Sequence, residues 1–495
     1  MYAKKIAALA TASMLVLAGC SSTTTDESGS RESTTSSSTP KAGGAGGEVG
    51  VFTWWADGSE AKGLDALEKM FAEKYPNDKF KNLAVAGGSG SNAKAKLASD
   101  LKNGNPPGSF QGHAGAELTD YIDNEQIEPV DGIIKELGGE SVFPKTLTDR
   151  LTVDGHIYSV PVDIHRANVV WANSALLQKA GITKTPTDVK GWITDMEKVK
   201  ASGVATPLSV GGTWTQTELF ESILAADLGA DGYNKLFTPD GKWDSPEVKT
   251  AIEDYKKVLT FTNTASDGDD WPAATDMVAS GKAAYNVMGD WAVAEFDMKG
   301  KKYGTDYTAF AVPGKEIVYD FLADSFTLPT DTKNSEATKD WLRFVGSAEA
   351  QESFNKIKGS IPARTDVKPD GFSKYQQDAM KDFKDLPIVS SIAHGAAVSL
   401  AWSSEINTAM SKFYQDKNTD HLASSLAAAH DKYGKCPSDS GATGVGPVLA
   451  WPHTTPEALL LTSRRAGGET ASGVRARLQG TVSYLSPPRT RENSS

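Results

Sequence analysis

Short apolar strands alternate with amphipathic helices along most of this chain. At residues 51–53, β-branched and aromatic side chains favour a strand, and the turn at 57–59 ends it. Apolar positions at helical spacing then predict a helix over 61–75, which Pro76 stops. Because the strand-then-helix order recurs from about residue 48 to 435, the pattern predicts an α/β fold.

The same reading places the other main elements. Strands are predicted at 79–85, 109–113, 156–163, 309–313 and 321–328. Helices are predicted at 61–75, 93–101, 246–259, 335–345 and 348–356, the third of them capped by Asp244 or Ser245. Two tryptophans follow the first strand, Trp54 and Trp55. Since successive side chains of a strand point to opposite faces, one is expected in the core and the other at a site, and the pattern leaves open which.

Length and charge narrow the class of protein. A chain of 495 residues is too long for one ordinary core and predicts two domains or more. Its net charge of -12 and pI of about 5.2 argue against nucleic acid as a partner, because binding to phosphates needs a basic surface.

The N-terminus has the pattern of an export signal. Two lysines precede an apolar run over 6–18 that is too short to be a stable membrane anchor. It ends in Leu-Ala-Gly-Cys at 17–20, which resembles the lipobox of bacterial lipoproteins. The resemblance implies a signal peptide at 1–19, lipidation of Cys20 and a lipidated, disordered linker at 20–47. The alternative is an ordinary signal peptide with an unrelated cysteine.

The segment 436–495 differs from the rest of the chain. It has no lysine, six arginines, and a composition rich in Gly, Pro, Ser and Thr without helical periodicity. We expect it to be disordered, and hypothesise that it is a non-native, read-through extension. Its Cys436 has no partner that the sequence identifies, so no disulfide is predicted.

Two motifs suggest a cofactor or metal, and neither is convincing. Gly88-x-Gly90-x-x-Ala93 matches the dinucleotide fingerprint, but it follows the second strand and no acidic residue ends a third one. Close backbone approach explains its glycines better. The acidic turn at 267–270 hints at calcium, but Trp271 stands at a ligand position of that pattern. We therefore predict no cofactor and no metal.

Seven motifs occur in an order typical of one family. They are Trp54-Trp55-x-x-Gly58-x-Glu60, 84–88 AVAGG, 106–115 with QGHAG, 158–161 YSVP, 287–291 VMGDW, 324–326 DSF and 358–364 KGSIPAR. Together they resemble the extracellular sugar-binding proteins of bacterial ABC importers, in particular the glucose/mannose-binding branch. The resemblance implies an α/β, two-lobed periplasmic-binding-protein-like fold with three hinge crossovers, near 160–163, 309–313 and 362–364. Lobe 1 would comprise 48–160 and 309–361, and lobe 2 would comprise 161–308 and 362–435.

The resemblance also implies a site for a sugar ring. A pyranose has apolar C–H faces and a rim of hydroxyls, so its site needs aromatic platforms and charged hydrogen-bonding groups. The ligand-binding residues carried over position by position are Trp54, Trp55, Glu60, Gln111, His113, Trp271, Asp290, Trp291, Asp324, Lys358 and His394. Trp214 and Asp163 are lesser candidates. The remaining tryptophans are predicted to be packing residues: Trp171, Trp192, Trp243, Trp341 and Trp402.

These expectations describe a binding protein rather than an enzyme. The chain would be a lipid-anchored monomer on the outer face of the cell membrane that delivers a small-molecule sugar to an ABC permease. A secreted glycoside hydrolase is the main alternative, with Glu60 and Asp290 or Asp324 as its carboxylate pair. A surface adhesin or sensor is a third, although the chain lacks repeats.

Overall fold

The computed structural model describes residues 43–86, 90–265 and 270–435. Its strands are β1 (Glu48–Phe52), β2 (Lys79–Asn82), β3 (Ser109–His113), β4 (Ile127–Glu128), β5 (Thr152–Val153), β6 (His156–Ile157), β7 (Ser159–Pro161), β8 (Asp163–Arg166), β9 (Val169–Asn173), β10 (Thr206–Ser209), β11 (Ala283–Val287), β12 (Tyr307–Ala311), β13 (Tyr319–Leu322), β14 (Asp324–Pro329), β15 (Ile361–Pro362) and β16 (Ile388–Ser390). Its helices are α1 (Gly58–Lys74), α2 (Ser91–Lys102), α3 (Glu117–Asp123), α4 (Asp131–Glu136), α5 (Lys145–Leu151), α6 (Ser174–Lys179), α7 (Val189–Ala201), α8 (Thr213–Lys235), α9 (Pro246–Val258), α10 (Trp271–Ala279), α11 (Ala292–Met298), α12 (Ser335–Val345), α13 (Ala348–Lys358), α14 (Lys374–Asp385), α15 (Leu400–Asp416) and α16 (Thr419–Tyr433).

The first lobe is built on a six-stranded sheet. Its strand order is β2-β1-β3-β14-β4, with β7 paired to β14. Strands β2, β1 and β3 are parallel, so the residues that follow β1 and the end of β3 lie at one edge. Antiparallel β14 begins at that edge and places Asp324 opposite His113. Three chain segments therefore bring polar and aromatic side chains to the same place.

The second lobe is built on a four-stranded sheet with the order β10-β11-β9-β12. Helices α8, α9, α15 and α16 pack together beside it. Pro246 opens α9, and the Ser245 hydroxyl accepts the Val248 amide hydrogen at 3.3 Å, so Ser245 is the cap of the two that the sequence offered.

A third sheet, β15-β8-β13-β16, links the two lobes. The chain leaves the first sheet at Val162, between β7 and β8, and re-enters it at Ala323, between β13 and β14. A third passage runs through β15, which pairs with β8. Two of the three predicted crossovers lie at these passages. The one predicted at 309–313 does not, because β12 pairs along its whole length with β9 in the second sheet; residues 309–311 thus belong with the second lobe.

The apolar interior has two parts, one that extends from the first lobe into the adjoining part of the second and one that lies mainly in the second lobe. All five tryptophans predicted to be packing residues lie in it, with exposures of 5% or less: Trp171, Trp192, Trp243, Trp341 and Trp402. No helix within the described ranges is long and apolar enough to cross a membrane.

Several predictions fall on residues outside those ranges: the signal peptide at 1–19, Cys20, the tail at 436–495, part of the glycine loop (87–89) and most of the acidic turn (267–269). The linker at 20–47 is described only from residue 43. There the expected disorder is wrong, because Asp78 accepts the amide hydrogens of Gly46 and Gly47 at 2.7 and 3.1 Å. The segment is thereby fixed to the first lobe.

Candidate functional site

A cleft of about 640 Å³, partly open to solvent, is lined by residues of both lobes and of the linking sheet. It collects eight of the eleven residues that the sequence proposed for a ligand site: Trp54, Glu60, His113, Trp271, Trp291, Asp324, Lys358 and His394. The other three, Trp55, Gln111 and Asp290, do not line it.

Trp54 forms the wall contributed by the first lobe. Its ring lies 4.9 Å from that of His113, and the Lys94 ammonium lies 5.2 Å from its centre. Gly90, with φ of +82°, packs on the indole so closely that a β-carbon there would come within 2.8 Å of the ring. A glycine at this position therefore lets the backbone approach the indole closely, as the sequence suggested.

Two tryptophans of the second lobe form the opposite wall. Trp291 precedes α11 and Trp271 begins α10, and their ring centres lie 6.4 Å apart at an interplanar angle of 78°. Asp270 fixes the start of α10, since its carboxylate accepts the Trp271 amide hydrogen at 2.8 Å. The Lys358 ammonium lies 5.5 Å from the centre of Trp291, a cation–π contact.

Trp55 belongs to the core. It is fully buried and packs on Phe326 and Phe354, at ring distances of 5.5 and 4.4 Å. Its assignment as a ligand residue is therefore corrected. The two adjacent side chains separate at the bend that follows β1, one to the cleft and one to the interior.

Gln111 and Asp290 act behind the cleft. The side-chain oxygen Oε1 of Gln111 accepts the Thr53 hydroxyl hydrogen and, at 3.3 Å, the Trp54 amide hydrogen. It therefore anchors the segment that carries Trp54. Asp290 pairs with Nδ1 of His165 and accepts the Arg166 amide hydrogen at 3.1 Å. Both side chains are buried, and each orients a neighbour instead of facing the cleft.

Asp324 is the centre of a charged cluster on the cleft floor. Its two oxygens lie 3.6 Å from Nε2 of His113 and 3.5 Å from Nε2 of His165. Lys358, which ends α13, forms an ion pair with Glu60 of α1. On the far side, Glu117 of α3 pairs with His113 at 2.7 Å and with Lys94 at 2.8 Å.

The charges of this cluster stabilise one another against the cost of burial. Burial alone would raise the pKa of Asp324, but the hydrogen bond to His165 and the nearby His113 lower it below its usual value. Burial likewise opposes the charge on His165, and Asp163 and Asp290 outweigh it, so that the pKa of His165 is raised well above its usual value.

The pKa values of Lys358 and Glu117, in the same cluster, follow the same rule. Burial opposes the charge on Lys358, yet Glu60 and Asp324 raise its pKa. Burial is also overcome at Glu117, where Lys94 and His113 lower the pKa to about 2. Asp324, Glu117, His165 and Lys358 are thus all charged near neutral pH.

Asp163, His165 and Asp324 are the group within the described ranges that could hold a metal ion, with ligand atoms within 4.8 Å of one another. Their chemistry fits a metal poorly. Both ring nitrogens of His165 face carboxylates, Asp290 on one side and Asp163 at 3.2 Å on the other. An imidazolium in that position satisfies all three carboxylates and has no lone pair for a metal.

His165 was missed by the sequence prediction, and Trp214 and Asp163 were ranked only as lesser candidates. His165 and Trp214 line the cleft. Asp163 lies beneath it and accepts the Asp324 amide hydrogen at 2.8 Å. The signal that could have identified His165 is its position on the strand that follows the first crossover.

Aromatic faces thus flank the cleft and charged groups form its floor. His394 Nε2 is buried and lacks a hydrogen-bond partner among the described residues. Such a group is costly unless something in the cleft pairs with it. Two α/β lobes, a linking sheet and a polar cleft between them define a ligand-binding protein of the hinged, two-lobed class.

Comparison with known proteins agrees with that class. The family model for bacterial extracellular solute-binding proteins matches residues 55–352, and the chain belongs to that family. An ABC transporter extracellular-binding protein of Pyrococcus horikoshii is 37% identical over 393 residues, which is 78% of this chain and 88% of that protein.

A probable sugar-binding periplasmic protein of Brucella melitensis is 33% identical over 358 residues, covering 70% of this chain and 83% of its own. Among solved structures, a chitin oligosaccharide-binding protein superposes with a TM-score of 0.69 at 19% identity, over 78% of this chain and 98% of its own. That structural likeness supports the two-lobed fold.

Proposed function

We propose that this chain is the solute-binding component of an ABC sugar importer, which captures a monosaccharide of the glucose or mannose type and delivers it to the membrane permease. The observation that carries the proposal is the cleft itself, which is lined by Trp54 of the first lobe and by Trp271 and Trp291 of the second, together with the charged groups around Asp324. Aromatic rings match the C–H faces of a pyranose, and ionised groups match its hydroxyls.

A single sugar ring suits the way the polar groups are placed. His113 and His165 approach Asp324 within 3.6 Å, and Lys358 contributes to the low pKa of the same carboxyl. The charged groups therefore converge on one point and are not spread along a groove. The structural neighbour named for a chitin oligosaccharide has the same fold, so the placement of polar groups, and not the fold, argues for a short ligand.

Capture requires no bond to be made or broken. A sugar held on the linking sheet contacts aromatic side chains of both lobes only when the lobes are closed. Those contacts shift the population towards the closed form by their differential free energy. The permease would then recognise the closed surface.

The lipobox-like sequence at 17–20 supports an extracellular location with a lipid anchor at Cys20, and we propose that the mature protein is a monomer. Metabolic labelling with a radioactive fatty acid tests the anchor. We expect label in the wild-type protein and none in Cys20→Ala. Label retained in that variant would contradict this part of the proposal.

The alternative of a glycoside hydrolase fits the cleft less well. A hydrolase needs a carboxylic acid with a raised pKa facing the substrate. The pKa of Asp324 is lowered, Glu60 is paired with Lys358, and Asp290 lies behind the cleft. Burial raises the pKa of Asp163 to about 6, but this side chain is beneath the floor and fully buried.

Isothermal titration calorimetry with D-glucose, D-mannose and D-galactose, beside incubation with aryl glycosides, separates the two functions. We expect stoichiometric binding of at least one hexose and no release of the aryl group over hours. Trp192→Phe, a conservative change in the second lobe's core, is the matched control and should bind like the wild type. Turnover, or the absence of binding to all three hexoses, would overturn the proposal of monosaccharide capture.

A further inference from the structure

His394 faces the cleft from a turn that is wrapped around a buried carboxylate. Glu221, on α8 of the second lobe, is fully buried. Its Oε2 accepts the amide hydrogens of Ile392 at 2.5 Å and Ala393 at 2.9 Å, and its Oε1 accepts the Ser391 hydroxyl hydrogen at 2.7 Å. Glu221 therefore fixes the short segment between β16 and His394.

The hydrogen bonds of Ser391 can be assigned by counting hydrogens. A serine hydroxyl has one hydrogen and two lone pairs. That hydrogen goes to Glu221, so Ser391 Oγ can only accept from its other neighbours. These are the backbone amide of His394 at 3.3 Å and Nδ1 of the same residue at 2.9 Å. Nδ1 of His394 must then carry a hydrogen.

The ionisation of the groups behind His394 is consistent with this assignment. Burial raises the pKa of Glu221 to about 7, opposed by its hydrogen bonds from Ser391 and the two amides. Asp320, beside it, is fully buried, and burial together with Glu221 raises its pKa well above the usual value. Asp320 is therefore the group of the two that keeps its proton, and Glu221 is the one that ionises first.

His394 itself is neutral. Burial lowers its pKa well below the usual value, and the nearby His113 and Lys94 lower it further. A neutral imidazole with its hydrogen on Nδ1 has a lone pair on Nε2. That atom is buried, belongs to a residue that lines the cleft, and has no hydrogen-bond partner among the described residues.

We propose that Glu221 and Ser391 are positioning residues that hold His394 in the Nδ1–H tautomer, so that its Nε2 accepts a hydrogen bond from a hydroxyl of the bound sugar. The site then favours a ligand group that can donate a hydrogen bond, because a group that can only accept one would face the lone pair of His394 Nε2. The ligand half of this inference rests on the proposed function, and the tautomer half does not.

NMR of the ligand-free protein labelled with ¹⁵N-histidine tests the tautomer at pH 8, with His394→Gln identifying the signals. We expect a protonated, pyrrole-type Nδ1 and an unprotonated, pyridine-type Nε2. Ser391→Ala removes the acceptor and should populate the opposite tautomer, whereas Ser391→Thr keeps the hydroxyl and should restore the wild-type pattern. Ser222→Ala is the matched control, because it removes a buried hydroxyl beside Glu221 on α8, and it should leave the signals unchanged.

A wild-type spectrum with an unprotonated Nδ1, or one that Ser391→Ala leaves unchanged, would overturn the proposal. The ligand half is tested by calorimetry with the monodeoxy-monofluoro derivatives of D-glucose, because fluorine cannot donate. One derivative should bind about tenfold or more weakly than glucose in the wild type, and this penalty should shrink in Ser391→Ala. Equal penalties in both proteins contradict donor discrimination. If mannose or galactose binds in place of glucose, the fluorinated derivatives of that hexose are used; if none of the three binds, the monosaccharide assignment fails, and the spectra still decide the tautomer.

Discussion

The adjacent tryptophans Trp54 and Trp55 allow ligand binding and folding stability to be perturbed separately. Trp55 is fully buried between Phe326 and Phe354. Replacing a core tryptophan by alanine costs about 3–5 kcal/mol, because transfer and cavity terms add. We therefore expect Trp55→Ala to lower the free energy of unfolding by that amount and to leave the affinity of the folded protein nearly unchanged.

Trp54→Ala should weaken ligand binding more than it lowers folding stability. The side chain lines the cleft, so its loss removes a platform for the sugar, worth about 0.5–1.5 kcal/mol beyond the buried area. With the lost apolar contact, the total is about 1–2 kcal/mol, which raises Kd by roughly five- to thirtyfold. Its stability loss should be smaller than that of Trp55→Ala.

Urea unfolding followed by far-UV circular dichroism measures the first quantity, and calorimetry with the best-bound hexose measures the second. Trp192→Ala is the matched control, because Trp192 is fully buried in the core of the second lobe. It should lose stability like Trp55→Ala and keep its affinity. A larger loss of affinity in Trp55→Ala than in Trp54→Ala would refute the division of roles.

Three further predictions concern titratable groups that folding removes wholly or partly from solvent. Lys358→Met leaves Glu60 without its cation and removes one of the positive charges near Asp324, so it should cost about 3–5 kcal/mol in urea unfolding and weaken hexose binding; unchanged stability would contradict the ion-pair network. The pKa of Glu117 falls from 4.5 to about 2 in the folded state, so its contribution to stability is present above pH 4.5 and lost as pH falls towards 2. Glu117→Gln should therefore reduce the fall in melting temperature between pH 4.5 and pH 2. An unaltered fall would refute this role of Glu117. Burial raises the pKa of Asp227 from 3.8 to about 7, so its contribution to stability is present below pH 3.8 and lost as pH rises to about 7. Asp227→Asn should reduce this loss of stability in thermal unfolding. A pH dependence of the melting temperature parallel to that of the wild type would count against the prediction.

Local patterns predicted the elements well, because apolar periodicity and capping act over a few residues. Ser245 is an example, since its role depends on a proline and an amide within three residues of it. The error at 309–313 has the opposite origin. An apolar run that ends at Pro313 is compatible with a crossing strand or a lobe strand, and only its pairing with β9, more than a hundred residues away, decides between them.

The prediction of the site also failed where it depended on contacts between residues distant in sequence. The ordered motifs located most of the cleft, but they could not say which way each side chain points. Gln111 and Asp290 lie in the right segments and face inwards, each towards a partner that is distant in sequence. His165 was missed because its environment consists of such partners: Asp290 is 125 positions away, and all of Asp163–Arg166 is buried, without the alternation that would have marked one face.

Some polar residues of the cleft lie on or beside the linking sheet, and this bears on how closure would be driven. His165 lies on β8, Asp324 follows the passage from β13, and Lys358 and His394 flank β15 and β16 of the linking sheet. The aromatic walls instead belong to the lobes, Trp54 to the first and Trp291 to the second. Contacts at a hinge change least when lobes move, so a sugar would meet these linking-sheet residues in open and closed forms alike. Since a ligand shifts a conformational equilibrium only by its differential affinity for the two forms, the stacking contacts, more than the linking-sheet residues, would supply the free energy of closure.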